Sequence, residues 1–377
     1  MDRAKSKSLF VALQHVAMLV VCYVMLAWPG LTTDEKAAEA VRNVERRSAA
    51  QKPAWPQNVT QWLEYPAKLE AYLKDHHGFR TKAIRWNSLA RLRLGESSSD
   101  RVVIGRSGFL YYDGDKKFLD LERAIPLDTK VRDARLRVWM AWAKWMDSRG
   151  AKFLIAPIPT KGIIYPEHLP SSVSRYLPTD RNEVFFTALG SMGLSVANVR
   201  AGIREIAATE KHLLYYKTDS HYNNLGAYYT YREIMKSVAA FWPDADANTV
   251  KNVKVVPGGK RTTDLANLLY LAKDFEENDV QALVAEPVKL ETWDSKGPDG
   301  RGYRHCRTAE RKGPRLLIFH DSFGWDLRRF FCQSFPEVLM VHHDFKGPYK
   351  APVESFKPDL VIFELAEYGF LGEFAMP

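Results

Sequence analysis

This chain of 377 residues is 46% hydrophobic and 12% aromatic, so it can bury a large core and is not expected to be disordered overall. Its net charge of +9 and pI of about 9.2 favour an anionic partner: an acidic polysaccharide, a membrane surface or a nucleic acid. Helix-turn-helix, zinc-finger and RNP signatures are absent from the sequence, so we predict no nucleic-acid binding.

The N-terminus combines a basic flank with a long apolar run. Arg3, Lys5 and Lys7 precede the run from Leu9 to Trp28, which is long enough in a helix to cross a hydrocarbon core of about 30 Å. No small-residue cleavage signal follows. We expect residues 1–30 to form an uncleaved signal anchor, with the remaining chain exported. A cleaved signal peptide and a buried core helix are the alternatives.

Residues 31–60 are charged and then contain prolines, which predicts a stalk with some helix that ends near Pro53 to Pro56. We expect one domain over residues 61–377. Cys306 and Cys332 could form a disulfide in an exported chain, or remain two buried thiols.

Helices and apolar strands alternate beyond residue 60. Helical spacing flanks Gly78, and two short strands are expected around Gly105 and Gly108. An amphipathic helix is predicted over 127–149, with these residues on its buried side: Val131, Leu136, Trp139, Trp142 and Trp145. Further strands are predicted at 152–158, 212–217, 315–320, 337–342 and 359–365, and further helices near 181–192, 198–210, 224–241 and 326–335.

This alternation predicts an α/β fold with a doubly wound, mostly parallel sheet and helices on both faces. In such sheets the ligand lies at the carboxyl ends of the strands. Residues 243–313 are richer in proline, glycine and charge, and we interpret them as an insertion or a long irregular connection.

The strongest local signal is "RLLIFHDSFGWD", in which a buried strand runs through Ser322 into a helix. Such a turn exposes the serine hydroxyl and points the first helical N–H groups at the same space, where they can stabilise an oxyanion. A serine hydroxyl is a weak nucleophile until a base removes its proton. A simple helix N-cap is the alternative role for Ser322.

A matching base is found in "KTDSHYNN". His221 can accept the serine proton, and Asp219 can hold the imidazole in the required tautomer. Both follow the predicted strand at 212–217, so we expect them to meet Ser322 in one crevice. Otherwise His221 is a surface histidine and Asp219 a turn residue.

Two motifs, "TDSHYNNLGA" and "HDSF", resemble the SGNH-hydrolase-like domain of the alginate O-acetyltransferases of the AlgJ/AlgX type. That family has threonine, tryptophan and glycine where this chain has Ser220, Tyr222 and His320. Further segments resemble the family in the expected order: "YLKDHHGFR", "IGRSGFLYY", "PIPTKGIIYPEHLP", "TTDLANLL" and "KPDLVIFELAEYGF". The resemblance covers residues 65–370.

The resemblance implies acetyl transfer to an exopolysaccharide in the periplasm, from a chain held in the inner membrane by its N-terminal anchor. A membrane-bound O-acyltransferase would donate the acetyl group to Ser322, with His221 as base and Asp219 orienting it. No cofactor is implied. A polysaccharide acetylesterase uses the same triad, and a non-catalytic polysaccharide-binding scaffold can share the fold.

Four further residues are candidates for substrate binding. Arg328 and Arg329 could hold a uronate carboxylate, since arginine suits bidentate contacts, although a solvated helix face is the alternative. Lys161 and Tyr222 lie in the matching motifs, and a structural salt bridge is the alternative for Lys161. HExxH and CxxC spacings are absent from the sequence, so no metal site is predicted.

Overall fold

The computed structural model describes residues 16, 18–20, 34–45, 47–114, 127–171, 173, 180–261, 263–343 and 349–377. No helix within these ranges has the length and hydrophobicity needed to span a membrane. Apart from residue 16 and residues 18–20, the predicted signal anchor lies outside the described residues. The chain divides into two compact units: Met1–Ser99 with Asn267–Ala272, and Asp100–Ala266 with Lys273–Pro377. The second unit begins at residue 100, and the domain bounds of 61–377 stay a prediction.

The described residues from 34 onward in the first unit include the helices α1 (Glu35–Val44), α2 (Val59–His76) and α3 (Arg80–Arg93). Asp34 and Asn58 cap α1 and α2 by accepting hydrogen bonds from backbone N–H groups of the first turn. The helices predicted on both sides of Gly78 are confirmed. Arg47 contacts both carboxylate oxygens of Asp75, at 2.6 and 2.7 Å, and so joins the predicted stalk to α2.

The second unit begins with the predicted hairpin, β1 (Val102–Ile104) and β2 (Leu110–Tyr112), which are antiparallel. Its turn contains Gly108 at φ 81°, a conformation that glycine adopts without strain. Helix α4 (Thr129–Asp147) follows, and its buried side includes Leu136, Trp139 and Trp142. Val131 was predicted on that side but is 40% exposed, because it lies in the first turn and away from the sheet.

The remaining strands are β3 (Lys152–Ile158), β4 (Ser195–Val196), β5 (Val253–Arg261), β6 (Glu277–Val284), β7 (Glu291–Lys296), β8 (Gly302–Arg307), β9 (Leu316–His320), β10 (Glu337–His342) and β11 (Leu360–Ala366). Seven of them form one sheet in the order β4-β3-β11-β9-β10-β8-β7. The first five of that order run parallel, and β8 and β7 add antiparallel strands at one edge. The prediction of a mostly parallel sheet is confirmed.

The remaining helices are α5 (Lys161–Ile164), α6 (Arg181–Ser191), α7 (Val199–Thr209), α8 (Asn224–Val238), α9 (Ala245–Asn248), α10 (Asp264–Leu268), α11 (Gly324–Phe331) and α12 (Lys350–Phe356). Alternate residues of the central strands bury on opposite faces. Ile318 and Ile362 pack with residues of α7, α8 and α11, while Phe319 and Phe363 pack with residues of α4, α6 and α12. The sheet is therefore doubly wound, as predicted.

Two segments differ from the sequence prediction. Residues 243–313 are not an irregular connection: they contain the hairpin β5–β6, and also β7 and β8, which extend the main sheet. Residues 212–217 do not form a strand; Tyr215 makes only an isolated bridge to Tyr222. Cys306 of β8 and Cys332, directly after α11, form a disulfide.

The order of the central strands creates the crevice. From β9 the chain passes through α11 to β10 on one side, and then through α12 to β11 on the other side of β9. The carboxyl end of β9 is thus a topological switch point, where ligands of open α/β sheets bind.

Candidate active site

A tight turn carries Ser322 at that switch point. Strand β9 ends at His320 and α11 begins at Gly324. The Asp321 carboxylate holds the turn, because its oxygens accept the N–H of Phe323 at 2.9 Å and the N–H of Ala366 at 2.7 Å. A Cβ at Gly324 would lie 2.4 Å from the Cβ of His320, so only glycine lets α11 begin directly against β9. The Ser322 side chain remains exposed.

The same turn narrows the choice of oxyanion donors. The Phe323 N–H is taken by the Asp321 carboxylate, and the Gly324 N–H donates to the Asp321 carbonyl at 3.2 Å. The expectation that the first helical N–H groups point into the crevice therefore fails for Phe323 and Gly324 and stays a prediction for the rest of the first turn. Within the described part of the chain, the Ser322 N–H has no hydrogen-bond acceptor, and it remains the amide of this turn that can stabilise an oxyanion.

His221 joins the two predicted halves of the site. Its Nε2 lies 2.7 Å from the Ser322 Oγ, and its Nδ1 lies 2.7 Å from the Asp219 Oδ1. The backbone N–H of His221 also donates to Asp219 Oδ1, at 3.0 Å. Because an ionised carboxylate only accepts, Nδ1 carries the proton and Nε2 is free to accept the serine proton. The structure thus brings Asp219, His221 and Ser322 into one hydrogen-bonded chain.

Burial and neighbouring charges shift the pKa values of Asp219 and His221. Burial raises the pKa of Asp219, but hydrogen bonds from the His221 ring and N–H outweigh it, so the pKa lies below its usual value. Burial lowers the pKa of His221, but the carboxylates of Asp219, Asp264 and Asp321 outweigh it, and the net direction is upward. Asp219 therefore stays ionised, and His221 is a stronger base than a free imidazole.

Lys161 is buried and bonded to backbone carbonyls, so it is not open to a substrate as the sequence-based assignment expected. It is 3% exposed, and its Nζ donates to the carbonyls of Tyr216, Lys217 and Asp219 at 2.9, 2.8 and 2.7 Å. Burial lowers the pKa of Lys161 to about 7, opposed by nearby carboxylates that include Asp264 and Asp219. Lys161 instead holds the loop that carries Asp219 and His221.

Tyr222 is also structural, contrary to its assignment as a substrate-binding residue. It is 1% exposed, and its hydroxyl donates to the Phe323 carbonyl at 2.5 Å. Its ring meets the Phe323 ring edge-on at 5.0 Å. Tyr222 thus joins the His221 loop to the Ser322 turn and maintains the distance between base and nucleophile.

The two arginines that follow Ser322, Arg328 and Arg329, both donate hydrogen bonds to other residues of the protein. Arg328 donates to the His305 carbonyl at 3.0 Å. Arg329 is exposed, and its Nη1 donates to the side-chain oxygens of Asn224 at 3.0 Å and Gln281 at 3.2 Å. A uronate contact by either arginine stays a prediction.

Asp264 is a site residue that the sequence reasoning missed. Its two carboxylate oxygens accept the N–H of Ser220 at 2.8 Å and the hydroxyl of Ser220 at 2.5 Å. Its own N–H donates to Asp219 Oδ2 at 3.2 Å, and its Oδ2 lies 3.8 Å from His221 Nδ1. Burial and the charge of Asp219 raise the pKa of Asp264.

The sequence did contain a feature that could have identified Asp264 as a site residue. Asp264 lies in the segment "TTDLANLL", which resembles the family. Ser220 keeps the hydroxyl of the family's threonine, and this hydroxyl is the group that Asp264 binds. Asp219, His221 and Asp264 also offer ligand atoms within 4.8 Å of one another. In this structure those atoms are engaged in the hydrogen bonds of the site.

We expect Asp264→Asn to change the pH dependence of the reaction. His221 must be neutral to accept a proton, and the nearby negative charges of Asp219, Asp264 and Asp321 raise its pKa. Removing one charge should therefore lower the midpoint of the acidic limb of kcat/KM by about 0.5–1 pH unit. The measurement is kcat/KM for a chromogenic acetyl ester between pH 4 and 9, with Asp246→Asn as the control, because Asp246 pairs with Lys251 outside the site. A lower rate with an unmoved midpoint would leave Asp264 a purely structural role.

Comparison with known proteins places this geometry in a family. Residues 102–297, just over half of the chain, match the family described as SGNH hydrolase-like domain, acetyltransferase AlgX. Asp219, His221 and Asp264 lie inside the match, and Ser322 lies outside it.

Two curated relatives are named "Probable alginate O-acetylase AlgJ". The Pseudomonas aeruginosa protein is 26% identical over 289 residues, which are 71% of this chain and 69% of the relative. The Pseudomonas syringae pv. tomato protein is 24% identical over 171 residues, which are 43% of this chain and 40% of the relative. The solved structure of Bacillus cereus PatB1 is 12% identical, covers 73% of this chain and 98% of its own, and has a TM-score of 0.53, so it shares the fold. With its doubly wound sheet, this chain belongs to the SGNH hydrolase-like family of the acetyltransferase AlgX.

Proposed function

We propose that this protein is a periplasmic O-acetyltransferase, anchored in the inner membrane, that acetylates hydroxyl groups of an exopolysaccharide through an acetyl-Ser322 intermediate. The observation that carries the proposal is the hydrogen-bonded chain from Asp219 through His221 to Ser322 at the switch point of the sheet. The names of the curated relatives, alginate O-acetylases, support a polysaccharide as the acceptor. A membrane-bound O-acyltransferase is the proposed acetyl donor.

The reaction has two balanced halves. In the first half, Ser322 Oγ attacks the acetyl carbonyl carbon of the donor while His221 Nε2 takes the serine proton. The Ser322 N–H stabilises the oxyanion, and His221 returns the proton to the leaving group. In the second half, a sugar hydroxyl gives its proton to His221 and its oxygen attacks the acetyl carbon. The bond from that carbon to Ser322 Oγ breaks, and His221 returns the proton to Ser322 Oγ. Asp219 stays ionised throughout and stabilises the imidazolium.

An acetylesterase is the second candidate, because one observation favours it. The Ser322 side chain is exposed, so water can reach the acetyl-serine as readily as a sugar can. Transfer would require a bound sugar chain to exclude water from the crevice. A non-catalytic scaffold is disfavoured, since a binding protein has no need of a nucleophile, base and carboxylate within hydrogen-bond distance.

The test uses the full-length chain in detergent with a chromogenic acetyl ester, with and without an acidic oligosaccharide acceptor. We expect intact mass to show one acetyl group on the wild-type protein and none on Ser322→Ala. The acceptor should clear the adduct faster than buffer does, and acetylated sugar should appear. Clearance at the same rate with and without acceptor would favour the esterase, and a wild-type protein without an adduct would count against both enzymes.

A further inference from the structure

An exposed aromatic and cationic surface lies beside Ser322, and the proposed acyl chemistry does not use it. Trp325, three residues after Ser322, is 41% exposed. The guanidinium carbon of Arg304 lies 4.2 Å from the centre of the indole ring. The exposed His342 ring lies 6.0 Å from the indole at an angle of 22°. We name these three residues the Trp325 patch.

The strands bring the patch to the same end of the sheet as the nucleophile. Arg304 of β8 pairs with Met340 of β10, and His342, two residues further along β10, pairs with His320 of β9. Because alternate residues of a strand point to one face, His342 lies on the side of the sheet where Met340 packs. Trp325 contacts His320 on this side, at 4.6 Å between ring centres.

The patch and the base approach Ser322 from opposite sides. The His221 loop is held by Lys161, which follows β3 on the β11 side of β9. Two residues of the patch, Arg304 of β8 and His342 of β10, belong to strands on the other side of β9. A sugar bound at the patch could therefore present a hydroxyl to Ser322 while His221 receives the proton.

Arg304 has unused binding capacity. Within the described ranges its guanidinium makes neither a hydrogen bond nor an ion pair; its contact is the indole ring. The nearest acidic residue across the strand pair is Asp294 of β7, which forms no ion pair with it. By contrast, Arg307 on the same strand pairs with Glu291 at 2.8 Å. An exposed guanidinium with free N–H donors is suited to bidentate binding of a carboxylate.

Asp294, opposite Arg304, is acidic, whereas the groups whose charges act on His320 at the patch are basic. His320, His342, His343 and Arg304 lie close enough for their charges to interact, and Arg304 also faces Arg328. Burial lowers the pKa of His320 to about 4, so this ring is neutral at physiological pH. The local field therefore comes mainly from the arginines and favours an anion.

We propose that the Trp325 patch is the acceptor subsite for a carboxylate-bearing sugar residue of the polysaccharide. The indole packs against the apolar face of the sugar ring, and Arg304 pairs with the carboxylate. This inference rests on the proposed function and assigns acceptor recognition to Arg304 and Trp325, rather than to the two arginines that follow on α11.

The kinetic test compares an acidic and a neutral oligosaccharide of equal length as acceptors for the full-length chain. Arg304→Gln should raise KM for the acidic acceptor roughly 10- to 100-fold, the effect of one charge-assisted contact. It should leave the neutral acceptor and the hydrolysis of a small acetyl ester within about twofold. Trp325→Ala should weaken both acceptors. Arg307→Gln, on the same strand but paired with Glu291, is the matched control and should change neither.

Equilibrium binding separates this proposal from the proposed function. Calorimetric titration of the acidic oligosaccharide into Ser322→Ala needs no turnover, and adding Arg304→Gln should weaken binding by the same factor. If the wild type forms no acetyl-serine but this difference is found, the transferase proposal fails and the subsite stands. Equal binding with and without Arg304→Gln, or no preference for the acidic over the neutral sugar, would overturn the subsite.

Discussion

Ser322→Ala should lower the rate of acetyl release from a chromogenic ester by roughly 10⁴- to 10⁶-fold, measured as kcat under saturating substrate. His221 and Asp219 cannot replace the lost nucleophile, because their role is to accept and stabilise its proton. The remaining activity should come from the Ser322 backbone N–H, which alanine retains, acting on water.

The variant should fold normally, since the Ser322 side chain is exposed and, among the residues that the structure describes, its hydroxyl bonds to His221 alone. We expect its thermal unfolding midpoint to match that of the wild type within about a degree, as for a surface substitution. A soluble, equally stable Ser322→Ala protein that keeps more than about 1% of the activity would exclude Ser322 as the nucleophile.

Lys161→Met is expected to have the largest effect on stability. The ammonium group donates to three backbone carbonyls of the loop that carries Asp219 and His221. Methionine would leave the Tyr216 and Asp219 carbonyls without donors, whereas the Lys217 carbonyl keeps the N–H of Leu110. The free energy of unfolding should fall by about 2–6 kcal/mol, at about 1–3 kcal/mol for each of these two unsatisfied carbonyls. Activity should fall by about 100-fold or more, because a small displacement of the base is enough to misalign the reacting atoms.

Chemical denaturation and ester hydrolysis of the same preparation would measure both effects. Lys211→Met is the control, since Lys211 is exposed and lies outside the loop. A Lys161→Met protein as stable and as active as Lys211→Met would show that the loop holds its shape without the ammonium group.

The core of the fold and the proposed triad could be predicted from sequence for a clear physical reason. Buried parallel strands are covered on both faces, so β3, β9, β10 and β11 appear as continuous apolar runs. A polar residue just after such a run must lie at the carboxyl end of the strand, where the sheet meets solvent. This reasoning identified Ser322. The segment "KTDSHYNN" then supplied Asp219 and His221 as its partners, and the structure brings them within hydrogen-bond distance.

Other features of the fold and the site could not be predicted, because no continuous apolar run or adjacent polar residue marks them in the sequence. Strand β7 is largely exposed, so its polar residues resemble those of a loop. Residues 213–216 are apolar because they pack beneath α8: a Cβ at Gly226 would lie 2.1 Å from the Leu214 carbonyl oxygen. Lys161 and Tyr222 were assigned as substrate-binding residues because they lie in motifs that resemble the family. The sequence of such a motif does not show whether a polar side chain in it is buried. Their structural role depends on partners that are distant in the chain, such as Phe323 for Tyr222.

The position of β11 has a consequence for how the protein folds. Strands β3 and β9 are far apart in sequence, and they join one sheet only when β11 pairs with both of them. Its Ala366 N–H also holds the Asp321 carboxylate of the Ser322 turn. Strands that are so far apart in sequence pair slowly. The chain loses entropy when the long loop closes, before the contacts between the strands can stabilise it. The base and the nucleophile therefore belong to two halves of the sheet that meet late, and until then the unpaired edges of β3 and β9 are where misfolding would begin.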